Sequence, residues 1–226
     1  MKITFLGHSC IQLEVVDSTI LIDPFITPNS LASHVDISSL RPDFIFLTHG
    51  HEDHVADAVS IANRSGATVV ANFEVANWIA SQGVANVKHV NPGGRLTFPF
   101  GSIRVVSAIH SSSLPDGSYG GNPMGYLFIT SDGHFYHSGD TALTLDMKLI
   151  PDFAPLKAAA LCIGDTFTMG AEDAALAADF IQCSEIIGIH YDTFPPIAID
   201  HSAAKAAFAS RNHRLHLPAI GESVTF

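Results

Sequence analysis

The chain has 226 residues, of which 47% are hydrophobic and only 15% are charged, so it contains enough apolar material for a sizeable core. Its formal net charge is −11, and its 11 Lys and Arg residues form no basic run. A nucleic-acid partner is therefore not expected, because binding to a phosphate backbone requires clustered positive charge.

Cysteine usage and hydropathy give expectations about the compartment. The three cysteines, Cys10, Cys162 and Cys183, are far apart and lie among apolar neighbours, which is typical of buried thiols in a reducing compartment. The opening "MKITFLGHSC" does not resemble a signal peptide. No segment has the roughly 20 apolar residues that a membrane-spanning helix needs. We therefore expect a cytoplasmic protein without a membrane partner.

The first part of the chain alternates short β-rich runs with helical patterns. Strands are predicted at residues 2–6, 10–15, 19–22, 44–47 and 68–71. Helices are predicted at residues 55–63 and 75–82. Between the third and fourth strands lies a long loop, 24–40, and loops of this length in compact domains are usually functional or disordered.

The second part begins with further strands and ends in an alternating pattern. Strands are predicted at residues 87–90, 95–98, 103–108, 125–130 and 134–137, with a second long loop at 111–124. A strand at 158–162, a helix at 171–181, a strand at 185–189, a helix at 202–210 and a strand at 223–226 follow. Two strand clusters without a linker between them favour one α/β domain, residues 1–226, with two sheets and outer helices.

Titratable residues are concentrated in the stretch "FIFLTHGHEDHVAD", directly after an apolar run. A helix, at about 100° per residue, would scatter His49, His51, Asp53 and His54 around its circumference. A strand would turn His54 away from the other three. We therefore expect a loop that wraps a common centre. Two imidazoles can begin one metal site, and a carboxylate with an imidazole can begin another. A solvated loop is the simpler alternative.

Two such sites need further ligands at downstream strand ends, and three residues meet this requirement. His110 follows the strand "IRVVSAI", Asp140 follows "HFYHSG", and His190 follows "EIIGI". Taken singly, each is an ordinary polar residue at the end of a strand. Together they supply one imidazole for each site and one carboxylate that is placed to bridge them.

These motifs resemble a known family. "THGHEDH", the isolated His110, "HSGDT" and "GIHYDTFP" match the metallo-β-lactamase superfamily. The likeness is closer to the bacterial metal-dependent hydrolase group within the ascorbate-6-phosphate lactonase-like branch. It runs essentially end to end and includes "GHSC", "DPFITPN", "DMKLI" and "GDTFTMGAEDAALAA". The resemblance implies the metallo-β-lactamase fold, a four-layer αβ/βα sandwich with metal ions at one edge.

The resemblance also implies a division of the ligands between two divalent metal ions. The first ion would be held by three imidazoles, those of His49, His51 and His110. The second would be held by Asp53, His54 and His190, with Asp140 bridging both ions. Zinc is the expected metal, although manganese, iron and nickel also suit imidazole and carboxylate ligands. Flavin-coupled di-iron members usually carry Glu at the position of His51, so this redox branch is disfavoured.

Other polar residues near these motifs have two readings each. Asp23 could orient a ligand imidazole or form a turn before Pro24. His8 could reach the substrate or the metal ions, or be an ordinary core or surface histidine. Asp165 could support the site or cap a helix. The remaining histidines are expected to have no role in the site; they are His34, His89, His134, His137, His201, His213 and His216.

The favoured function is hydrolysis of a small-molecule ester, lactone, amide or phosphoester. A hydroxide bridging the two metal ions would attack, and Asp53 would orient it and accept its proton, with Asp140 as the bridge. Two divalent ions, two carboxylates and a hydroxide leave a local charge of about +1, so the substrate can be anionic. A nuclease or phosphodiesterase acting on nucleic acid and a non-catalytic metal-binding module are the alternatives. The oligomeric state cannot be read from the sequence.

Overall fold

The computed structural model describes all residues, Met1–Phe226, and contains two seven-stranded sheets. The first sheet has the strand order β14–β1–β2–β3–β4–β5–β6. Its strands are β1 (Lys2–Gly7), β2 (Cys10–Val15), β3 (Ser18–Ile22), β4 (Phe44–Phe46), β5 (Thr68–Ala71), β6 (Val87–His89) and β14 (Ser223–Thr225). Strands β3 to β6 are parallel, whereas β14, β1, β2 and β3 pair antiparallel.

The second sheet has the same number of strands, in the order β13–β12–β11–β10–β9–β8–β7. These strands are β7 (Arg95–Phe98), β8 (Gly101–Ser107), β9 (Met124–Thr130), β10 (Gly133–His137), β11 (Ala158–Cys162), β12 (Glu185–Ile189) and β13 (Arg214–His216). Here β10 to β13 are parallel and β7 to β10 are antiparallel. Each sheet therefore has an antiparallel half and a parallel half.

Six α-helices accompany the sheets. They are α1 (Glu52–Val55), α2 (Ala58–Ser65), α3 (Phe73–Ser81), α4 (Ile150–Phe153), α5 (Ala171–Phe180) and α6 (His201–Ala209). Helix α3 is capped by the preceding Asn72, whose side chain accepts a hydrogen bond from the Val75 N–H, and α6 is capped by Asp200, whose side chain accepts two N–H groups in the same way. None of the helices has both the length and the apolar character needed to cross a membrane.

Buried residues of the central strands alternate between two apolar layers. Phe46 on β4 packs against the aromatic side chains of the second sheet, with ring centroids 5.0 Å from those of Tyr126 and Phe128. Its neighbour Ile45 belongs instead to the cluster with α2 and α3. This alternation follows the two-residue period of a strand and produces a strand that is buried on both faces. Helices α5 and α6 pack against the second sheet, so the layers are arranged αβ/βα.

The strand directions bring the candidate site residues to one edge. Strands β1, β3 and β4 run in one direction within the first sheet, and β8, β10 and β12 run in one direction within the second. Six candidate residues follow the carboxyl ends of these strands: His8 (β1), Asp23 (β3), His49 (β4), His110 (β8), Asp140 (β10) and His190 (β12). Polar side chains at such strand ends can meet without disturbing the core.

The structure differs from the predicted elements in a few places. The helix predicted at 55–63 is divided into α1 and α2, because the Asp57 N–H donates to the Pro24 carbonyl rather than to the preceding turn. The Asp57 carboxylate then accepts the N–H groups of Ile26 and Thr27 at 2.7 and 2.8 Å, which fixes the start of the loop 24–40. The short elements α4 and β13 were not predicted, since three or four residues carry too little periodicity.

Candidate metal centre

Potential metal ligands meet in three overlapping groups at this edge. In each group, one ligand atom from every member lies within 4.8 Å of those of the other members. The groups are His49, His51 and His110; His49, His54 and Asp140; and His8, Asp53, His54 and His190. All the ligands expected from the sequence are therefore brought together, and His8 joins them.

The motif that carries four of these residues combines irregular backbone with one helical turn. His49 and His51 lie in the irregular segment between β4 and α1, whereas Asp53 and His54 lie within α1. The sequence predicted a loop throughout, so the short helix is a correction to that prediction. The backbone changes direction at the start of α1. This change turns the side chains of Asp53 and His54 toward those of His49 and His51, as the expected loop would have done.

Asp140 lies at the middle of the cluster, and one oxygen makes its close contacts. Its Oδ2 is 2.9 Å from Nε2 of His190 and 3.3 Å from Nε2 of His54. The same oxygen is 3.6 Å from Nε2 of His110 and 4.0 Å from Nε2 of His49. Oδ2 therefore faces imidazoles of both expected metal sites, whereas Oδ1 is buried without a hydrogen-bond partner.

Asp23 fixes the orientation of two of the imidazoles. It is fully buried, and its Oδ2 accepts the Nδ1–H of His54 at 2.8 Å and the hydroxyl of Thr48 at 2.6 Å. Because the Thr48 hydroxyl donates to Asp23, its oxygen can accept the Nδ1–H of His49 at 3.0 Å. In their neutral forms, both histidines therefore turn an unprotonated Nε2 toward the centre. This is the first of the two readings of Asp23, and the carboxylate is not a simple turn former.

The donor set fits divalent metal ions. His54 Nε2 is buried and has no hydrogen-bond partner, although Asp140 Oδ2 lies near it. His49 Nε2 lies 3.0 Å from His51 Nδ1, which brings together two nitrogens that both act as metal ligands when they are unprotonated. Buried polar groups are normally satisfied, so orphaned imidazole nitrogens around a buried carboxylate indicate a site for a cation.

The metal-free cluster strongly perturbs its titratable groups. Burial raises the pKa of Asp140, but the imidazoles of His54 and His190 outweigh this effect and hold the pKa well below its usual range. Burial likewise lowers the pKa of His54, but the carboxylates of Asp140, Asp23 and Asp53 outweigh it and raise the pKa well above the usual value. Such opposed shifts within one cluster are typical of functional sites.

The imidazoles of the first expected metal site behave differently. Burial lowers the pKa of His49 well below its usual value, and the neighbouring His54 adds to this effect. Burial is also the main cause of the lowered pKa values of His51 and His110. These three side chains therefore favour the neutral form, which is the form that ligates a metal ion.

His8 contacts Asp53 directly. Its Nε2 lies 3.1 Å from Asp53 Oδ2 and its Nδ1 lies 2.9 Å from the hydroxyl oxygen of Thr193. Burial lowers the pKa of His8 to about 4, so the ring is neutral at physiological pH. His8 is therefore part of the site, and the alternative of an unrelated core or surface histidine is not supported by its position.

Three of the site residues adopt a left-handed backbone conformation. The φ angles are 54° for His8, 46° for Asp23 and 57° for His190. Residues other than glycine rarely occupy this region, and they do so mainly where surrounding contacts impose it. The N–H of His190 donates to the His8 carbonyl at 2.9 Å, which joins the ends of β12 and β1 across the two sheets. The backbone is thus held in a conformation that aims these side chains at the centre.

The loop 111–124 packs against the metal-binding segment. Ser112 Oγ accepts the N–H of Gly50 at 3.0 Å and donates to the Gly120 carbonyl at 2.8 Å. The side chain of Asn72 donates to the same carbonyl at 2.7 Å. This loop is therefore tied to the segment between His49 and His51.

Asp165 is not brought into the cluster. It lies on an exposed turn with φ of 59° and belongs to none of the three ligand groups. It does not cap the following helix either, because the residue that precedes α5 is Gly170 and no side chain accepts a hydrogen bond there. A role for Asp165 in supporting the site stays a prediction without a contact that explains it.

Two residues that contact site side chains, Thr48 and Thr193, were not predicted from the sequence, and the buried His137 lies beside the site without contacting a candidate ligand. Thr48 links His49 to Asp23, and Thr193 contacts His8. His137 is fully buried; its Nδ1 accepts the N–H of Gly139, so its Nε2–H donates to the Ser9 carbonyl at 3.2 Å. These residues lie beside the motifs "HGH", "HYD" and "GD", but a position next to a motif only weakly predicts a contact, because their hydrogen-bond partners include residues that follow other strands.

Comparison with protein families matches residues 2–190 to the model described as "Beta-lactamase superfamily domain". The chain is 51% identical over 225 residues to a UPF0173 metal-dependent hydrolase of Christiangramia forsetii, with 99% of both chains covered. It is 48% identical over 224 residues to a protein of the same description from Flavobacterium johnsoniae, again with 99% coverage of both chains. These similarities extend over the whole cluster of candidate ligands.

Solved structures with similar folds include two hydrolases. The structure of Igni18, described as a novel metallo hydrolase from the archaeon Ignicoccus hospitalis, is 33% identical with a TM-score of 0.90 and covers 100% of this chain and 97% of its own. An isothiocyanate hydrolase from Delia radicum gut bacteria is 20% identical with a TM-score of 0.81, and the alignment covers 100% of this chain and 99% of that one. The second likeness concerns the fold alone.

Proposed function

Because the chain belongs to the β-lactamase superfamily, within the group of UPF0173 metal-dependent hydrolases, we propose that it is a binuclear hydrolase of small molecules. The substrate is an ester, lactone, amide or phosphoester, and the ions are two divalent metals, with zinc as the first candidate. Placement in the ascorbate-6-phosphate lactonase-like branch is part of this proposal.

The position of Asp140 Oδ2 between two sets of imidazoles carries the proposal. Oδ2 lies 3.6 and 4.0 Å from the Nε2 atoms of His110 and His49 in the first set, and 2.9 and 3.3 Å from those of His190 and His54 in the second. A single buried carboxylate that faces both sets suits a bridge between two cations, because its negative charge reduces their mutual repulsion. One cation alone would leave several of these buried groups without a partner.

The residues around the two positions have distinct roles. His49, His51 and His110 would hold the first ion, and Asp53, His54 and His190 the second, with Asp140 shared. Bound divalent ions supply a nucleophile at neutral pH by lowering the pKa of water, and they polarise the bond under attack. Asp53 is 26% exposed at its side chain and is the carboxylate open enough to orient a water molecule and accept its proton.

Several features of the surroundings support a small-molecule substrate. No Lys or Arg forms an ion pair with Asp53, Asp140 or Asp23; all their ion-pair partners are histidines. Beside His8 lie the rings of Phe25 and Phe194, with centroids 5.4 and 5.6 Å from the imidazole, and Phe194 is 37% exposed. This provides an apolar surface next to the second ion position rather than a cationic groove for a polynucleotide.

The test is a substrate panel with metal-loaded protein, comprising esters, lactones, amides and phosphoesters. We expect metal-dependent hydrolysis of at least one class, which is lost on chelation and restored when the metal ion is returned. A parallel arm measures retention on single- and double-stranded nucleic acid. We expect no retention at moderate salt, whereas tight binding that weakens steeply with added salt would support the nuclease alternative instead.

A further inference from the structure

Taking the binuclear centre as proposed, we infer that His8 is a positioning residue for Asp53 and stays outside the coordination of the second metal ion. Its Nε2–H donates to Asp53 Oδ2, and the Thr193 hydroxyl holds His8 in the tautomer that makes this possible. The carboxylate of Asp53 is thereby turned so that its other oxygen remains available to the metal ion.

The hydrogen-bonding chemistry of the three side chains determines the tautomer. An ionised carboxylate only accepts hydrogen bonds, so the nitrogen that faces Asp53 Oδ2 at 3.1 Å must carry the proton. In a neutral imidazole the other nitrogen then has a lone pair. The hydroxyl oxygen of Thr193 lies 2.9 Å from that Nδ1 and 3.3 Å from the Tyr191 carbonyl, so Nδ1 is the nearer of the two acceptors for its single proton. With the Nε2 proton set by Asp53 and the Thr193 proton on its nearer acceptor, the three groups form one hydrogen-bonded chain from Thr193 through His8 to Asp53.

The contrary arrangement makes His8 a further metal ligand through Nε2, since the distance of 3.1 Å also suits two atoms that share one ion. Two observations argue against it. First, the hydrogen bond from His8 is the only one that the Asp53 side chain receives. Carboxylates that ligate metal ions are usually held by a donor of their own, and Asp53 would have none if His8 were a ligand.

The second observation is the number of ligands. Asp53, His54, His190 and the shared Asp140 already provide four protein groups for the second ion. Catalytic metal sites keep a position open for water or substrate. A fifth protein ligand would crowd this ion, whereas His8 as a hydrogen-bond donor leaves that position free.

The protein holds the ring of His8 in the required place. Its side chain is buried, with the ring centroid 4.3 Å from that of His190 and 5.4 Å from that of Phe25. Its carbonyl accepts the N–H of His190 at 2.9 Å, so the backbone is fixed as well. Asp53 is the more exposed partner and has Oδ1 4.0 Å from Nε2 of His54. A buried donor that holds one oxygen of a more exposed carboxylate is the arrangement expected of a positioning residue.

Nitrogen-15 NMR of the histidine side chains tests the tautomer in the full-length protein, with Zn²⁺ as the added metal. His8 is assigned by comparison with the His8→Gln variant. We expect a directly bonded proton on His8 Nε2 both before and after Zn²⁺ is added. Loss of this proton on loading would overturn the inference, because a coordinated nitrogen cannot carry it. If no histidine responds to Zn²⁺, the metal centre itself fails, which is a distinguishable result.

Substitutions test the consequence for metal binding. Gln places an amide N–H near the position of Nε2, so His8→Gln should bind the second Zn²⁺ almost as tightly as the native chain. His8→Leu fills similar space without a donor and should weaken the second Zn²⁺ by about 10–100-fold, while still binding two ions at saturation. The control is His216→Leu, which removes a partner of Glu185 at the opposite end of β12 and should leave Zn²⁺ affinity unchanged.

The same comparison applies to Thr193. Thr193→Ser keeps the hydroxyl and should retain both the proton on His8 Nε2 and the Zn²⁺ affinity. Thr193→Val has nearly the same shape but no hydroxyl, so a smaller fraction of His8 should carry the Nε2 proton and Zn²⁺ should bind more weakly. Equal behaviour of Gln and Leu at position 8, or of Ser and Val at position 193, would contradict positioning by hydrogen bonds and indicate a packing role. Melting temperatures of the metal-free variants show whether any loss reflects unfolding.

Discussion

The Oδ2 atom of Asp140 lies 2.9 Å from Nε2 of His190, although the two residues follow different strands and are separated by two β–α connections. The contact joins the ends of β10 and β12 at the edge where the first sheet delivers His49 and His54. Asp140 Oδ1, by contrast, is buried without a partner. One oxygen of this carboxylate therefore connects the imidazoles of both sheets.

Asp140→Asn tests the bridging role. Asn keeps the shape and one oxygen acceptor but loses the negative charge that offsets the repulsion between two cations. We expect the second metal ion to be weakened more than the first, because the first retains three imidazoles. Hydrolytic activity should fall by orders of magnitude, with the fold preserved by circular dichroism. Full occupancy by two ions together with a depressed melting temperature would show that Asp140 is merely a structural residue of its turn.

Asp23→Ala tests the orientation of two ligands by one carboxylate. The change removes the acceptor for His54 Nδ1–H and for the Thr48 hydroxyl, which in turn fixes His49. We expect the affinities of both metal ions to fall by about 10–100-fold, because partners of ligating histidines typically contribute this much. Equilibrium metal titration measures the change. The exposed Asp36→Ala is the control, and an equal loss in that variant would contradict the assignment.

His110→Ala and His213→Ala compare a ligand with a bystander. His110 lies 3.6 Å from Asp140 Oδ2, whereas His213 pairs with Asp179 at 2.7 Å outside the ligand groups. We expect the first variant to lose metal and activity and the second to retain nearly all of both. Metal content and hydrolysis measured on the same preparations decide the matter, and similar losses in the two variants would refute the ligand set.

Metal affinity should increase with pH. In the metal-free protein the pKa of His54 is raised well above 6.5, since three carboxylates outweigh burial. The proton on His54 stabilises the folded metal-free protein at pH values below the pKa that His54 has in the unfolded chain. This stabilisation is lost as the pH rises through the raised pKa of His54 in the folded protein. A metal ion must displace the proton, so below the folded pKa the apparent affinity should rise about tenfold per pH unit. Competition titrations at several pH values measure this, and an affinity independent of pH would contradict it.

Much of the site followed from local sequence patterns. The spacing of His49, His51, Asp53 and His54 and the positions of His110, Asp140 and His190 at strand ends were sufficient to name the candidate ligands. The two sheets followed from the alternating apolar runs. What these patterns could not give was the connection between distant strands, such as the contact of His8 with Asp53 and Thr193, because no local periodicity encodes it.

The two readings of Asp23 and His8 illustrate the limit. An Asp before a Pro is an ordinary turn residue, and only the arrival of His54 and Thr48 at its oxygens shows that it orients ligands. His8 follows a strand end like the ligands do, but its role depends on which of its nitrogens carries the proton. That depends on neighbours from α1 and from the loop after β12. Long-range contacts of this kind are set by tertiary packing.

The metal content of the native protein tests the central claim most directly. The purified metal-free protein is titrated with Zn²⁺ and, separately, with Mn²⁺, and the bound metal is quantified by elemental analysis against chain concentration. Seven ligands arranged three and three around the shared Asp140 predict saturation at two ions per chain. Saturation at one ion per chain with all ligands intact would contradict the binuclear centre.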